Sequence, residues 1–111
     1  MLTSIIAVVS LFVGSALAGD PASVRAAEPK THTIVMEATR FEPADLKISA
    51  GDTVVWINKD PFPHTATAKN GEFDSTEIEP GKSWKNNFKT KGDFAYACTL
   101  HPTMKGTLKV E

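Results

Sequence analysis

Cys98, His101 and Met104 stand three residues apart in the stretch CTLHPTM, and each is a side-chain type that binds soft or borderline metal ions. Cys98 is the only cysteine of the 111-residue chain, so it cannot close an internal disulfide. Three ligands from one short loop need a fourth from elsewhere. Of the two other histidines, His64 follows Pro61-Phe62-Pro63, whose prolines remove two backbone donors and narrow the conformations of the approach. His32 has no such setting and reads as a strand or surface histidine. Thiolate and thioether suit Cu(I), imidazole suits both copper states, and two His, one Cys and a weak axial Met make an electron-transfer copper site. Singly, the cysteine reads as core filler, the histidine as a turn residue and the methionine as a loop anchor. Together, after a strand and with Pro-His upstream, they read as one metal centre: His64, Cys98, His101 and Met104. Structural zinc fits less well, because zinc prefers four strong N or S ligands and gains little from a thioether.

Such a centre needs a rigid frame, and the rest of the chain supplies short strands. HTIVMEA places Ile34 and Met36 on one face, and DLKIS does the same for Leu46 and Ile48. SWKNNFK alternates Trp84 and Phe88 with lysines, although Asn86 falls on the apolar side. DFAYAC aligns Phe94, Tyr96 and Cys98, GTLKVE aligns Leu108 and Val110, and TVVWIN is apolar on both faces like a central strand. Period two throughout argues strands. Ala50-Gly51-Asp52, Asn70-Gly71, Pro80-Gly81 and Lys91-Gly92-Asp93 separate them with turn chemistry. About seven to eight short strands of this kind predict an all-β protein, an antiparallel Greek-key β-sandwich. Cys98 then ends one strand, Met104 precedes the next, and His101 sits on the loop between them.

The N-terminus sets the compartment. From Ile5 to Ala18 the chain is apolar apart from Ser and Gly, too short a run for a comfortable membrane span and suited to a signal peptide. Ala16-Leu17-Ala18 offers a small-x-small cleavage pattern, so residues 1–18 read as a signal peptide, 19–30 as a polar flexible leader and 31–111 as the domain. An uncleaved anchor stays open, since no Lys or Arg precedes the apolar run. The expectation is a soluble periplasmic protein without a membrane span after cleavage, working as a monomer. Charge is nearly balanced, with 12 basic and 13 acidic residues, and neither charged cluster carries the interleaved aromatics of a nucleic-acid surface. No catalytic pair accompanies the metal-ligand set, so no enzyme is expected.

GDFAYACTLHPTMKGTLKVE resembles the last strands and ligand loop of the cupredoxins, and GDTVVWINKDPFPHT resembles their first-ligand region. The likeness covers residues 31–111 and is closest to the amicyanin and plastocyanin group, whose short amicyanin loop has the same two-residue gaps. It implies a single type 1 copper cycling between Cu(I) and Cu(II). His64, Cys98 and His101 would be its equatorial ligands and Met104 its axial one. It also implies a one-electron carrier that docks a redox protein (a dehydrogenase, cytochrome or oxidase) near His101, through Phe62, Pro63, Leu100, Pro102 and Met104. Storage or delivery of copper in the periplasm is the alternative function. Two positions depart from the pattern. Thr65 stands where the group carries Asn, keeping the backbone donor to sulfur but lacking the amide, and Leu100 replaces the Pro before the loop histidine.

Overall fold

The computed structural model describes residues 28–111, so the expected signal peptide 1–18 and leader residues 19–27 lie outside the described residues. Eight strands follow: β1 Thr31–Glu37, β2 Arg40–Glu42, β3 Asp45–Ile48, β4 Thr53–Asn58, β5 Thr67–Ala68, β6 Ser83–Asn87, β7 Gly92–Ala97 and β8 Lys105–Val110. They form two four-stranded sheets, ordered β2-β1-β4-β6 and β3-β8-β7-β5. There is no helix among the described residues. The alternation of the sequence becomes the alternation of burial. Ile34 and Met36 on β1, Val54 and Trp56 on β4, Phe94 and Tyr96 on β7, and Leu108 and Val110 on β8 all enter one core.

Trp56 and Tyr96 join the two sheets at the centre, with ring centroids 5.6 Å apart and nearly perpendicular planes. Phe41 packs edge-on against Tyr96 at 4.6 Å, and Phe73 lies 5.6 Å from Trp56. Edge-to-face contacts of this kind let the negative ring faces meet positive ring edges. Where the chain turns at Gly51 and Gly81, φ is 102° and 81°, values that a side chain disfavours.

The structure departs from the expected frame in three respects. The sandwich is mixed, because β1 pairs with β4 in parallel and β3 pairs with β8 in parallel. After β2 the chain crosses to the other sheet for β3 and returns as β4, so β4 runs the same way as β1. Turn residues reveal strands joined by short loops, and they are silent on partners met after a crossover. The second departure is that β2 and β5, of three and two residues, escape a reading by periodicity. SWKNNFK shortens at its end: β6 stops at Asn87, while Phe88 beyond it stays buried.

Candidate metal centre

Period two on β7 turns Tyr96 inward, and Cys98, one residue past the strand end, keeps that direction and is fully buried. The loop after it is closed by backbone. The Cys98 N–H donates to the Met104 carbonyl at 3.0 Å, and the Met104 N–H donates to the His101 carbonyl at 2.9 Å. Met104 is buried, so its side chain takes no part in the apolar surface expected around His101.

His64 comes from the segment between β4 and β5, which Asn58 organises from the last position of β4. Its amide donates to the carbonyls of Phe62 and Ile78, both at 2.8 Å, and its Oδ1 accepts the Asp60 N–H at 2.9 Å. The backbones of His64 and Ile78 then bond reciprocally, at 3.2 and 2.7 Å. The histidine is 0% exposed.

These two loops bring three of the four expected ligands together. Cys98 Sγ lies 3.7 Å from His64 Nδ1 and 3.9 Å from His101 Nδ1. The ligand atoms all fall within 4.8 Å of one another. One ion bonded to sulfur at about 2.3 Å and nitrogen at about 2.0 Å, with a trigonal angle, would separate S from N by roughly 3.7 Å. The donor set therefore fits a single small metal ion, with both imidazoles presenting Nδ1. The two rings are 5.0 Å apart, and His101 is only half-buried, so its outer edge reaches the surface. Among the described residues, the exposed large hydrophobic side chains are Phe62 and Leu100, at 46% and 44%. Phe62 stands 6.0 Å from the His101 ring.

Thr65 carries more than its place in the sequence indicates. Its N–H donates to Cys98 Sγ at 3.3 Å. Its hydroxyl oxygen accepts the Thr99 N–H at 2.9 Å and lies 2.9 Å from the Thr67 hydroxyl. A threonine thus ties the two ligand loops together through Oγ1, so the missing amide leaves no gap between them.

Asp60 is the residue that sequence reasoning missed. Its Oδ2 lies 2.7 Å from His64 Nε2, and its two oxygens accept the Ala38 and Thr39 N–H groups at 2.8 and 2.9 Å. Burial pushes this carboxyl up, but the His64 ring and the two turn amides outweigh it and hold it below its ordinary value. The only signal was an acid four residues before a histidine, ahead of the Pro-rich approach to it. His32 lies apart from the centre and is half-buried, its Nε2 2.9 Å from Asp52 Oδ2.

Comparison with known proteins gives the same answer as the geometry. A family model described as a cupredoxin-like domain matches residues 4–110. The amicyanin-alpha of Methylorubrum extorquens is 28% identical over 99 residues, covering 85% of this chain and 83% of that protein. The plastocyanin of Scenedesmus fuscus is 35% identical over 89 residues, covering 64% and 86%. The structure of an oxidized methionine-to-leucine variant of amicyanin superimposes with a TM-score of 0.68 at 26% identity, over 72% of this chain and 81% of that one. A sandwich whose strand end and Pro-rich loop converge a thiol on two imidazole Nδ1 atoms, in a chain that this family model spans almost end to end, belongs to the cupredoxin-like family.

Proposed function

We propose that the protein is a blue-copper electron carrier. In this reading it is exported to the periplasm and works there as a monomer, moving single electrons between redox proteins. The observation that carries it is the buried thiol held 3.7 and 3.9 Å from two Nδ1 atoms, one on each of two braced loops. His64, Cys98 and His101 would hold the ion as its strong ligands, and Met104, whose backbone closes the loop, would be the fourth and weak one. When bound, copper supplies a one-electron couple whose two states need nearly the same ligand positions. The protein's own part is to keep them so. Cys98 and His64 are shut from water, the Thr65 N–H is aimed at the sulfur, and the Thr65 hydroxyl stops the two loops from parting.

Electrons would enter and leave at the exposed edge of His101. The apolar side chains around it, Phe62 and Leu100, would let a dehydrogenase, cytochrome or oxidase approach with little polar surface to desolvate. Export rests on the N-terminal sequence. No helix among the described residues is long and apolar enough to cross a membrane. Copper storage or delivery requires ready release, and burial of Cys98 and His64 argues for retention.

The test is the visible spectrum of the Cu(II)-loaded mature chain. An intense thiolate-to-copper band, bleached by ascorbate, restored by oxidant and absent from Cys98→Ser, is expected. Weak bands, or copper lost to a mild chelator, would reject the carrier.

A further inference from the structure

Asn70-Gly71 is the tip of the turn that leads from β5 to Phe73 in the core. The Ala68 N–H donates to the Phe73 carbonyl at 2.9 Å and closes the turn, and the Gly71 N–H donates to the Ala68 carbonyl at 3.1 Å. Both tip residues are exposed, with Gly71 at φ 80°, and nothing stands within 4 Å of the point where a Gly71 Cβ would lie. A side chain here would crowd the residue's own nitrogen, whereas glycine leaves that nitrogen open. Asn70 Oδ1 accepts the Glu72 N–H at 3.0 Å. This bond folds the amide back along the chain and keeps its Cγ on the side of the intervening Gly71 nitrogen. It also aims an N–H at the oxygen on which negative charge collects when Cγ is attacked, as in sites that stabilise tetrahedral intermediates.

The other asparagines are held differently. Asn58 is 0% exposed, and its Nδ2 donates to the Phe62 and Ile78 carbonyls, both at 2.8 Å. Asn86 and Asn87 lie inside the β4–β6 ladder, and Asn87 Nδ2 donates to the Gly51 carbonyl at 2.8 Å. Each of the three precedes a residue with a side chain: Lys59, Asn87 and Phe88. We infer that Asn70-Gly71 is a site of spontaneous deamidation in the folded protein, and that its isoaspartyl product loosens β5. Base removes the Gly71 amide proton, the nitrogen bonds to Asn70 Cγ, the Cγ–Nδ2 bond breaks and ammonia leaves. Water then opens the five-membered imide. Cleavage between the nitrogen and Cγ gives an aspartyl residue, and cleavage between the nitrogen and the backbone carbonyl carbon gives an isoaspartyl one. Water enters, ammonia departs, and no electron is transferred. Either product adds one negative charge beside Glu72 and Asp74 to a chain whose net charge is −1. The isoaspartyl link also inserts a methylene into the main chain, within the turn that the Ala68–Phe73 bond closes. Ala68 and Phe73 are core residues at 4% and 6% exposure, and β5 meets β7 through Thr67 and Ala68 alone, so the longer turn pulls on both.

For the test, the chain purified after export is kept folded in warm, mildly alkaline buffer, sampled over weeks and digested with pepsin in acid, which halts the reaction. Mass spectrometry with electron-transfer fragmentation is expected to find a gain of one mass unit confined to residue 70. The isoaspartyl form should predominate, with ammonia released mole for mole. Asn70→Gln, whose cyclisation needs a larger ring, should keep its ion-exchange position while wild type drifts toward the more acidic form. A parallel sample in urea gives the behaviour of the unfolded chain. Conversion at residue 70 in urea but not in the folded protein would mean that the turn protects the site, and would overturn the assignment. Earlier conversion at Asn58, Asn86 or Asn87 would overturn it too. The separated isoaspartyl form should unfold at lower urea than Asn70→Asp, which has the same charge and an unaltered main chain; equal midpoints would overturn the loosening of β5. These readouts need no copper, so failure of the carrier reading leaves them standing.

Discussion

Among single residues, Thr65 shows how one hydroxyl can take over the work of an amide. Its Oγ1 receives the Thr99 N–H at 2.9 Å, and the contact continues to the Thr67 hydroxyl, which donates to Asp74 Oδ1 at 3.1 Å. Thr65→Val preserves the volume and the backbone donor to sulfur but strands the Thr99 N–H. The copper-free protein is expected to lose about 1–2 kcal/mol, the typical cost of leaving such a donor unmet. Urea unfolding measures this loss, and a midpoint equal to wild type would show that the hydroxyl bridge carries no strain between the loops. The colour of the loaded protein should survive, because the Thr65 N–H still reaches Cys98 Sγ.

Among elements, the pairing of β7 with β8 fixes where Cys98 ends. Tyr96 lies opposite Gly106 in that ladder. A methyl at Gly106 would sit 2.5 Å from Tyr96 Cζ and 2.6 Å from its hydroxyl oxygen, inside contact distance. The ring cannot retreat, since it is fully buried against Phe41 and Trp56. Gly106→Ala is therefore expected to destabilise the protein by about 1–3 kcal/mol through overpacking. A shift of β7 would reach Cys98 two residues beyond Tyr96, so the visible band should change as well. Chemical denaturation and the absorption spectrum are the two readouts, and a variant equal to wild type in both would mean that the ladder yields freely.

For the whole molecule, two surfaces distant in sequence govern stability in acid and encounter with other proteins. Asp52 accepts from His32 Nε2 at 2.9 Å, from the Lys30 N–H at 2.9 Å and from the Ser49 N–H at 3.0 Å, binding the start of β1 to the turn before β4. The His32 hydrogen bond first, then the Lys30 amide, pull its carboxyl from 3.8 to about 2. A carboxyl lowered by folding stabilises the fold fully above 3.8 and loses that contribution as pH falls through about 2. Asp52→Asn should flatten the fall in urea midpoint between these values, and an identical slope in the variant would count against the clamp. At the His101 end, Leu100→Lys places a charge on the apolar face of a molecule whose net charge is only −1. Electron self-exchange between reduced and oxidized protein, read from NMR line widths at low ionic strength, should slow by about tenfold, because two such faces repel when they meet. An unchanged rate would move the electron-exchange surface away from Leu100.

What the sequence determined by itself was local and periodic. Cys-x-x-His-x-x-Met fell between two strands because period two runs through DFAYAC and GTLKVE, and the same alternation chose the core residues on β1, β7 and β8. Pro-Phe-Pro-His marked His64 as a constrained residue before any neighbour was known. The tertiary structure decided what depends on a crossover. The parallel pairings of β1 with β4 and β3 with β8 join strands separated by other elements, where turn residues carry no information. Asp60 escapes a reading from the sequence because its partners Ala38 and Thr39 lie more than twenty residues upstream. His32 reads as a strand or surface histidine, and only the fold shows Asp52, twenty residues on, bonded to it. Hydrogen bonds between distant loops leave no periodic trace in the chain. Only the folded sandwich shows a threonine bonded across the two loops that carry His64 and Cys98, and an aspartate set against His64.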